Sequence, residues 1–344
     1  MTKKTKNRNL NQAARDKKDE FYTQLSDIER ELKYYRKHFK GKVVYCNCDD
    51  PRVSNFFHYF SHNFEKLGLK KLITTCYKSQ DMDLYSRNDA QHAIMLEYDG
   101  DKSGTGIPDL DEIGITILES DGDFRSEGCI ELLKQADIVV TNPPFSLFRE
   151  YVAQLVEHNR KFLILGNQNN ITYSEVFPLI KENKLWLGNR NGDMSFKVPD
   201  HYEPRETRYW VDDEGQKWRS FGNMCWFTNL DIKKRHEDLI LYKRYTPEEY
   251  PRYVNYDAIE VGKTKDIPMD YDGPMGVPIT FLSKHNPSQF EILGSSRTLG
   301  TPISKIAEKG SYQQGGPRFY LRNADGSYRR MYDRIVIRKI RDAD

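Results

Sequence analysis

The chain has 344 residues, enough for one large domain and a smaller unit with hydrophobic cores of their own. Its 53 lysine and arginine residues nearly balance 51 aspartate and glutamate residues, so net charge alone indicates no class of partner. The apolar runs are only as long as strands, which argues against a membrane span. Five cysteines, an odd number, predict a reduced, cytoplasmic protein. Cys46-Asn47-Cys48 has the wrong spacing for a zinc site, so we expect no metal.

Charge is distributed unevenly along the chain. Residues 1–18 contain a single acidic residue, Asp16, and seven basic ones: Lys3, Lys4, Lys6, Arg8, Arg15, Lys17 and Lys18. This basic arm has almost no apolar side chains and is predicted to be disordered; it either contacts nucleic acid or is a solvated tail. Residues 81–123 contain twelve acidic residues against Arg87 and Lys102, so we expect them to face away from a phosphate backbone.

The next stretch predicts a helix, a strand and a second helix. Ser26 and Glu29 form a capping-box pattern before a helix that extends to about residue 39. Residues 42–47 predict the first strand, and the turn Cys48-Asp49-Asp50-Pro51 predicts the next helix start, with an aspartate cap and an early proline. Doubly wound folds bind cofactors at such a turn. Helix-start amides can hold a carboxylate and an aspartate can pair with an ammonium group, as an amino-acid-like cofactor requires; a plain helix cap is the alternative.

A second strand is predicted at residues 71–76. Two apolar runs, 92–98 and 113–118, flank a loop rich in glycine and aspartate and predict an acidic hairpin inserted at about residues 81–120. Asp123 and Phe124 then precede a short helix at 127–135. The Asp123 carboxylate could accept from the amino group of an adenine ring that contacts Phe124, or the pair could form a plain turn with a buried ring.

The stretch from Asp137 to Phe145 carries the most specific signal. Its apolar run predicts a buried strand, which ends in the turn Asn142-Pro143-Pro144-Phe145. The two prolines fix the backbone and supply no N–H donors, so the nearby carbonyls stay available as acceptors. An amide oxygen, a carbonyl and an aromatic ring at the carboxyl end of a parallel strand suit a planar exocyclic amine. The alternative is a proline-rich turn with a core phenylalanine.

The elements that follow continue the alternation of strands and helices. A helix is predicted through Phe148, Val152 and Leu155, then a strand at 161–166 whose polar loop, 167–170, should emerge beside the Asn-Pro-Pro-Phe turn. A short helix (175–182), a short strand (185–187) and a core strand (224–228) come next, while 189–218 shows no clear period. Five such alternations predict an α/β fold, a doubly wound, mostly parallel Rossmann-like sheet with helices on both faces.

The character of the chain changes at about residue 242. We therefore expect a main domain at 19–241 and a smaller, mixed C-terminal region at 242–344. Two strands are predicted around an Asp325-Gly326 turn. Tyrosines and a phenylalanine alternate there with basic residues: Arg318, Arg322, Arg329, Arg330, Arg334, Arg338, Lys339 and Arg341. Such a ribbon suits phosphate contact and base stacking, and a solvated edge strand protected by charge is the alternative.

Together these stretches resemble a DNA adenine-N6 methyltransferase. Phe21-Tyr22-Thr23-Gln24 resembles the Phe-Tyr-Thr-Pro element that precedes the cofactor fold in one permutation class, and residues 19–24, 43–57 and 137–150 resemble the EcoRI-type modification methyltransferases. The resemblance extends from about residue 19 to 285. Two departures concern the cofactor site: the first turn lacks the glycine-rich pattern, and Thr75-Cys76-Tyr77 replaces the acidic residue that usually holds the ribose.

The resemblance implies a site-specific enzyme of a type II restriction–modification system. It would transfer a methyl group from S-adenosylmethionine to the N6 amino group of a flipped adenine in duplex DNA, as a monomer without a metal. The implied catalytic residues are Asn142, Pro143, Pro144 and Phe145. The implied cofactor contacts are Phe21, Tyr22, Thr23, Asn47, Asp49, Asp50, Pro51, Cys76, Asp123, Phe124 and Asn142. The expected DNA contacts come from the basic arm, the polar loop 167–170 and the arginine ribbon: Lys3, Lys4, Lys6, Arg8, Asn167, Asn169, Arg318, Arg322, Arg329 and Arg330.

Three other functions remain open from the sequence. An RNA adenine methyltransferase or a protein glutamine methyltransferase could use the same pair of acceptors, because a planar amide fits them too. A catalytically silent DNA-binding protein could keep the fold as a scaffold. The residues do not determine a recognition sequence, although the resemblance would imply a short palindrome such as GAATTC.

Overall fold

The computed structural model describes residues 21–48, 54–75, 93–105, 108, 112–120, 122–200 and 202–340, so the predicted basic arm lies outside the described residues. The helices are α1 (Leu25–Leu32), α2 (Arg36–Phe39), α3 (Asn55–His62), α4 (Phe64–Leu67), α5 (Glu127–Gln135), α6 (Phe148–Glu157) and α7 (Phe177–Lys181). Short 3-10 helices lie at Phe145–Leu147, Gln168–Thr172, Lys233–His236, Thr264–Asp266, Ile279–Lys284 and Ile303–Lys305.

The strands run through the whole described chain. They are β1 (Tyr22–Thr23), β2 (Val43–Asn47), β3 (Lys71–Thr75), β4 (Ile94–Tyr98), β5 (Gly114–Ile117), β6 (Ile138–Thr141), β7 (Lys161–Asn167), β8 (Trp186–Lys197), β9 (Tyr209–Val211), β10 (Lys217–Thr228), β11 (Ile259–Glu260), β12 (Met275–Pro278), β13 (Phe290–Ser295), β14 (Tyr320–Arg322), β15 (Tyr328–Arg330) and β16 (Arg334–Lys339). No helix in the described ranges is long and apolar enough to cross a membrane.

The chain divides into two compact units. The first unit comprises Met1–Asn170 and Leu187–Leu230, and the second comprises Ile171–Trp186 and Asp231–Asp344. The chain thus enters the second unit twice, and its final entry comes at residue 231, whereas the sequence pattern changes at about residue 242. The short excursion Ile171–Trp186 has no compositional signal that separates it from its neighbours.

The first unit is built on one mixed sheet with a parallel centre. Within the described residues its strand order is β1-β8-β10-β7-β6-β2-β3-β4-β5, with β9 paired to β10. The four central strands β7, β6, β2 and β3 are parallel to one another. The flanking pairs β7–β10, β9–β10, β1–β8, β3–β4 and β4–β5 are antiparallel. The expectation of a mostly parallel sheet therefore holds only for these four strands, whose apolar side chains are buried, as parallel strands require.

Helices form where the apolar spacing and the caps agree. In α6, buried Phe148, Tyr151, Val152 and Leu155 follow the spacing of one helix face. Helix α5 begins where the Ser126 hydroxyl accepts from the Cys129 amide, and its predicted bounds are confirmed.

One predicted helix start is wrong. The Ser26 capping box does not form, because α1 begins at Leu25 and its cap, Gln24, makes no side-chain capping bond. The predicted single helix is also interrupted between α1 and α2. Helix α3 spans Asn55–His62 with the Ser54 hydroxyl as its cap, and the start predicted at the Asp-Asp-Pro turn lies outside the described residues.

The stretch 189–218 is also more regular than its sequence indicates. Parts of the long strands β8 and β10 and the short β9 cover nearly half of it. The side chains of β8 vary irregularly among buried, half-exposed and exposed, and those of the first half of β10 are almost all half-exposed. Because β8 and the first half of β10 lack one uniformly apolar face, they have no period-two pattern, and the sequence predicted only the last residues of β10, 224–228, as a core strand.

A buried carboxylate ties α1 to β8 in the first unit. Glu31 is fully buried, and it accepts hydrogen bonds from the Tyr35 hydroxyl and from the backbone amides of Asn189 and Arg190, at 2.8, 2.7 and 2.8 Å. These donors satisfy a charge that would otherwise be costly to bury. Because β8 also pairs with β1, this anchor holds the segment just before α1 in place.

Gly188 on β8 allows the Glu31 side chain of α1 to approach β8 closely. A Cβ at Gly188 would lie 2.8 Å from the Trp226 Cβ and would also overlap the Glu31 carboxylate. We expect Gly188→Ala to destabilise the protein by about 1–3 kcal/mol in urea denaturation. Gly128→Ala is the matched control: its Cβ would meet only the Ser120 hydroxyl at 3.6 Å, and in a helix it should stabilise by about 0.5–1 kcal/mol. Equal stability of the two variants would contradict this packing.

The second unit has its own sheet and core. Its four strands are ordered β11-β12-β16-β13, and β16 is antiparallel to both of its neighbours. Tyr253, Ala258, Phe319, Leu321 and Val336 form a buried apolar cluster. Strands β14 and β15 pair antiparallel around the Asp325-Gly326 turn, where Gly326 has a φ of +84°. The predicted C-terminal hairpin is thereby confirmed.

Candidate active site

Asn142 lies directly after β6, in the centre of the parallel strands, and it is buried. Its Nδ2 donates to the Phe21 carbonyl over 2.7 Å. Its Oδ1 is buried and has no hydrogen-bond partner within the described part of the chain. A buried acceptor without a partner is costly, so an N–H donor from a ligand would be stabilised there. The bond to Phe21 fixes the amide and leaves the oxygen for that donor.

The prolines of the turn hold this geometry. Pro143 is buried, and Pro144 has the extended conformation that precedes the 3-10 turn at Phe145–Leu147. The Pro144 carbonyl accepts from the Leu147 amide at 3.0 Å, so it belongs to that turn. The Pro144 carbonyl therefore already accepts one hydrogen bond within the turn.

Phe145 belongs to an aromatic cluster formed by Phe21, Phe145, Phe196, Tyr202 and Phe221. Phe145 is stacked on Phe21, with ring centroids 5.1 Å apart and an angle of 14° between the ring planes. Phe196 and Phe221 approach Phe145 edge-on at 6.3 and 5.8 Å, and Tyr202 approaches Phe21 at 6.0 Å. Phe145 remains only half-buried. The cluster thus holds the ring beside Asn142 in a defined orientation.

The Phe-Tyr-Thr-Gln segment lies at the edge strand β1. Tyr22 pairs with Lys197 and Thr23 with Phe196 on β8. The Thr23 carbonyl accepts from the Asn55 side-chain Nδ2 at 2.7 Å, while the buried Thr23 hydroxyl has no partner among the described residues. The segment therefore presents a second unpartnered polar atom, besides Asn142 Oδ1.

The turn after β2 is held by the neighbouring elements. Asn47 is buried; its Oδ1 accepts from the Tyr151 hydroxyl and its carbonyl accepts from the Thr141 hydroxyl. Burial raises the pKa of Tyr151 well above its usual value, so this phenol stays a neutral donor. Cys48 adopts a φ of +82°, where a glycine would be unstrained. Cys48 thus adopts, in a turn without glycine, the left-handed backbone conformation that a glycine would usually provide.

Asp123 and Phe124 lie in the turn just before α5. Phe124 is buried and packs edge-on against Tyr151, with centroids 5.0 Å apart. Arg125 donates from its amide and guanidinium to Asp123, and it reaches Glu150 at 3.0 Å. These hydrogen bonds raise the pKa of Arg125 above its usual value. Tyr151 therefore links Phe124 with Asn47, while the Asp123 carboxylate is engaged by Arg125.

Asn167 and Asn169 follow the parallel strand β7. Asn167 and Asn223 exchange two amide hydrogen bonds of 2.9 and 2.8 Å, and Asn167 Oδ1 also accepts from the Asn169 amide. Asn169 is exposed. The Asn167 side chain thus links β7 to β10 through Asn223. Asn169 is the more accessible of the two predicted contacts.

The C-terminal arginines differ in exposure. Arg318 is largely buried and paired with Asp333 at 2.8 Å, which also binds Arg297. Burial lowers the pKa of Arg318. On the β14–β15 ribbon, Arg322 and Arg329 are exposed and Arg330 is half-buried. Arg322 and Arg329 are therefore the accessible members of the predicted DNA-contact set in this unit.

Several predicted site residues lie outside the described residues, and the structure says nothing of them: Lys3, Lys4, Lys6, Arg8, Asp49, Asp50, Pro51 and Cys76. Within the described ranges, no group of three or more His, Cys, Asp or Glu side chains could hold a metal ion.

Sequence reasoning missed three residues of the site. Tyr151 was only one more apolar position on α6, although a polar hydroxyl on a buried helix face could have suggested a hydrogen-bonding role. Phe196 lies in the stretch 189–218, which has no clear period, and Phe221 lies between that stretch and the core strand predicted at 224–228, so no local signal pointed to either residue.

Comparison with known proteins gives one consistent family. A family model described as adenine-specific methyltransferase EcoRI matches residues 9–340. The type II methyltransferase M.EcoRI of Escherichia coli is 54% identical over 297 residues, which cover 85% of this chain and 90% of that protein. The type II methyltransferases M.MgeORF184P of Mycoplasma genitalium and M.MpnI of Mycoplasma pneumoniae are each 38% identical, over 96% of this chain and 98% of their own. No solved structure matches.

Proposed function

This chain belongs to the adenine-specific EcoRI methyltransferase family, and from that membership we propose how its strand-end residues methylate adenine in DNA. As a member it is an adenine-specific type II DNA methyltransferase. The observation that carries the proposed mechanism is Asn142 Oδ1, a buried acceptor that has no partner within the described ranges although its Nδ2 is anchored.

The chain's own residues hold the adenine amino group. The target base is flipped out of the duplex, because in the helix its amino group is paired and stacked. Asn142 Oδ1 accepts one amino hydrogen and the Pro143 carbonyl accepts the other. Both acceptors then orient the nitrogen lone pair toward the incoming methyl group. Phe145, held by its stack on Phe21, packs against the flipped ring. Correct positioning provides most of the rate enhancement, and no strong base is required.

The residues around the turn fit S-adenosylmethionine as the cofactor. The buried Thr23 hydroxyl has no partner in the described chain, and such an orphaned polar atom is what a polar ligand would satisfy. Phe124 offers an aromatic surface for an adenine ring. Asp123 is engaged by Arg125, but a carboxylate has about four lone-pair sites and can accept a further bond. We assign the remaining cofactor contacts to Phe21, Tyr22, Asn47, Asp49, Asp50, Pro51 and Cys76. When bound, the sulfonium would supply an activated methyl group: its S–CH3 bond would break as the N–CH3 bond forms, a neutral thioether would leave, and one N6 proton would pass to water.

DNA would be held by positive charge outside this site. Exposed Arg322 and Arg329 on the β14–β15 ribbon are free to meet phosphates. The basic arm with Lys3, Lys4, Lys6 and Arg8 would add contacts that do not depend on sequence, and Asn169 is a candidate base contact. We assign target recognition to residues 242–344 and expect a monomer, since each methyl transfer modifies one strand.

Methylated-base mapping tests this proposal directly. DNA from cells that express the protein should contain N6-methyladenine at one short motif, and DNA from cells with Asn142→Ala should not. If the wild-type protein binds S-adenosylmethionine but leaves DNA unmodified, the substrate is RNA or protein instead. If it neither binds the cofactor nor methylates DNA, the scaffold alternative holds.

A further inference from the structure

Arg219 lies on β10 two residues before Phe221, a member of the aromatic cluster. The Arg219 guanidinium lies over the Phe221 ring, 5.2 Å from its centroid. Phe221 in turn contacts Phe21 at 5.0 Å and Phe145 at 5.8 Å. The positive charge of Arg219 is therefore separated from Phe145 by one ring, that of Phe221.

No carboxylate among the described residues neutralises this charge. Arg219 Nη1 donates to the Thr207 carbonyl, and its buried Nε has no partner among the described residues. Within the same part of the chain no carboxylate pairs with Arg219. Arg208, nearby in sequence, differs because it forms an ion pair with Asp193 at 2.7 Å. A guanidinium has five N–H donors, and most of those of Arg219 remain for a ligand.

Arg205 repeats this arrangement at another ring of the cluster. Its guanidinium lies 5.8 Å from the Tyr202 ring centroid, and Tyr202 contacts Phe21 at 6.0 Å. Arg205 is exposed and forms no ion pair with a carboxylate within the described ranges. Two guanidinium groups without a described carboxylate partner thus lie over rings of the aromatic cluster that includes Phe145.

We propose that Arg219 and Arg205 bind the DNA phosphates that flank the flipped adenine. The inference rests on the proposed function, since only a base extruded against Phe145 brings its own phosphates to this cluster. Arginine suits this role because its planar fork donates two parallel hydrogen bonds to a phosphate. The Phe221 and Tyr202 rings weakly attract the guanidinium groups of Arg219 and Arg205, respectively. These contacts orient both guanidinium groups before DNA binds. Both arginines are positioning residues that hold the extruded nucleotide.

A methylphosphonate scan tests this role. The probe is a duplex that carries the motif found by base mapping, with each phosphate near the target adenine replaced in turn by a neutral methylphosphonate. The wild-type enzyme, Arg219→Gln and Arg205→Gln are compared for duplex affinity and for its salt dependence. Arg208→Gln is the matched control, because Asp193 already neutralises that arginine.

We expect Arg219→Gln to lower duplex affinity about 10- to 100-fold and to reduce the salt slope by about 1. Neutralising one flanking phosphate should weaken wild-type binding, but should add no further loss in Arg219→Gln. Arg205→Gln should show the same pattern at a different phosphate, and Arg208→Gln should behave as wild type. Because Arg205 is exposed, its variant keeps the test valid if Arg219→Gln fails to fold.

Two results would overturn the inference. An equal methylphosphonate penalty in the wild type and both variants would show that neither arginine meets a flanking phosphate. An unchanged salt slope in both variants would lead to the same conclusion. A wild-type enzyme that methylates no DNA would instead contradict the proposed function, and this inference with it.

Discussion

Replacing Asn142 by alanine is expected to lower the rate of adenine methylation by about 100- to 1,000-fold, the usual loss when one preorganised hydrogen-bonding group is removed from an active site. The variant would lose the acceptor for an amino hydrogen and also the bond from Nδ2 to the Phe21 carbonyl. The Thr23 hydroxyl and Phe124 remain, so cofactor affinity should change little. Single-turnover methylation of a duplex and equilibrium binding of S-adenosylmethionine measure the two effects separately.

Two further variants test the physical reason. Asn142→Asp keeps an acceptor oxygen but cannot donate to the Phe21 carbonyl, so its acceptor is no longer anchored and we expect a large part of the activity to be lost. Asn63→Ala is the control, because Asn63 Nδ2 donates to the Tyr59 carbonyl at the end of α3, so this variant should leave the rate unchanged. An Asn142→Ala enzyme with a rate close to wild type would refute the role of this amide oxygen.

Removal of the Arg334 side chain should have the largest effect on stability. Arg334 on β16 and Glu260 on β11 are both buried, and their side chains form a bidentate ion pair at 2.7 and 3.0 Å. The Tyr253 hydroxyl also donates to Glu260. Arg334→Ala leaves the Glu260 charge buried without a cation, which should cost about 3–5 kcal/mol of unfolding free energy. Urea denaturation measures this loss.

The same strand supplies a control. Arg338 pairs with Glu291 on the same sheet at 2.5 Å, but both side chains are more than a third exposed, at 47% and 41%. Arg338→Ala should therefore cost no more than about 1 kcal/mol. A double replacement of Glu260 and Arg334 by methionine should recover most of the stability that Arg334→Ala loses, because no charge is left buried. Similar losses in the two single alanine variants would contradict this account.

The local sequence determined the elements that carry the motif. The apolar run of β6, the helix α5 and the turn with two prolines depend on residues adjacent in the chain, and these predictions hold. The parallel direction of strands β2, β6 and β7 follows from the same alternation, and parallel strands bring their carboxyl ends to one edge. The resemblance to EcoRI-type enzymes also rests on short, contiguous strings.

The tertiary structure alone decided how these groups are oriented. Asn142 is anchored by Phe21, 121 residues earlier, and Asn47 is held by Tyr151, 104 residues later. Phe221 and Arg219 reach the site through the first half of β10, whose sequence has no period because its side chains are almost all half-exposed. Spacing encodes elements because neighbouring residues share a helix or strand. It does not encode which distant donor satisfies a buried acceptor, since that choice depends on how the strands pair in space.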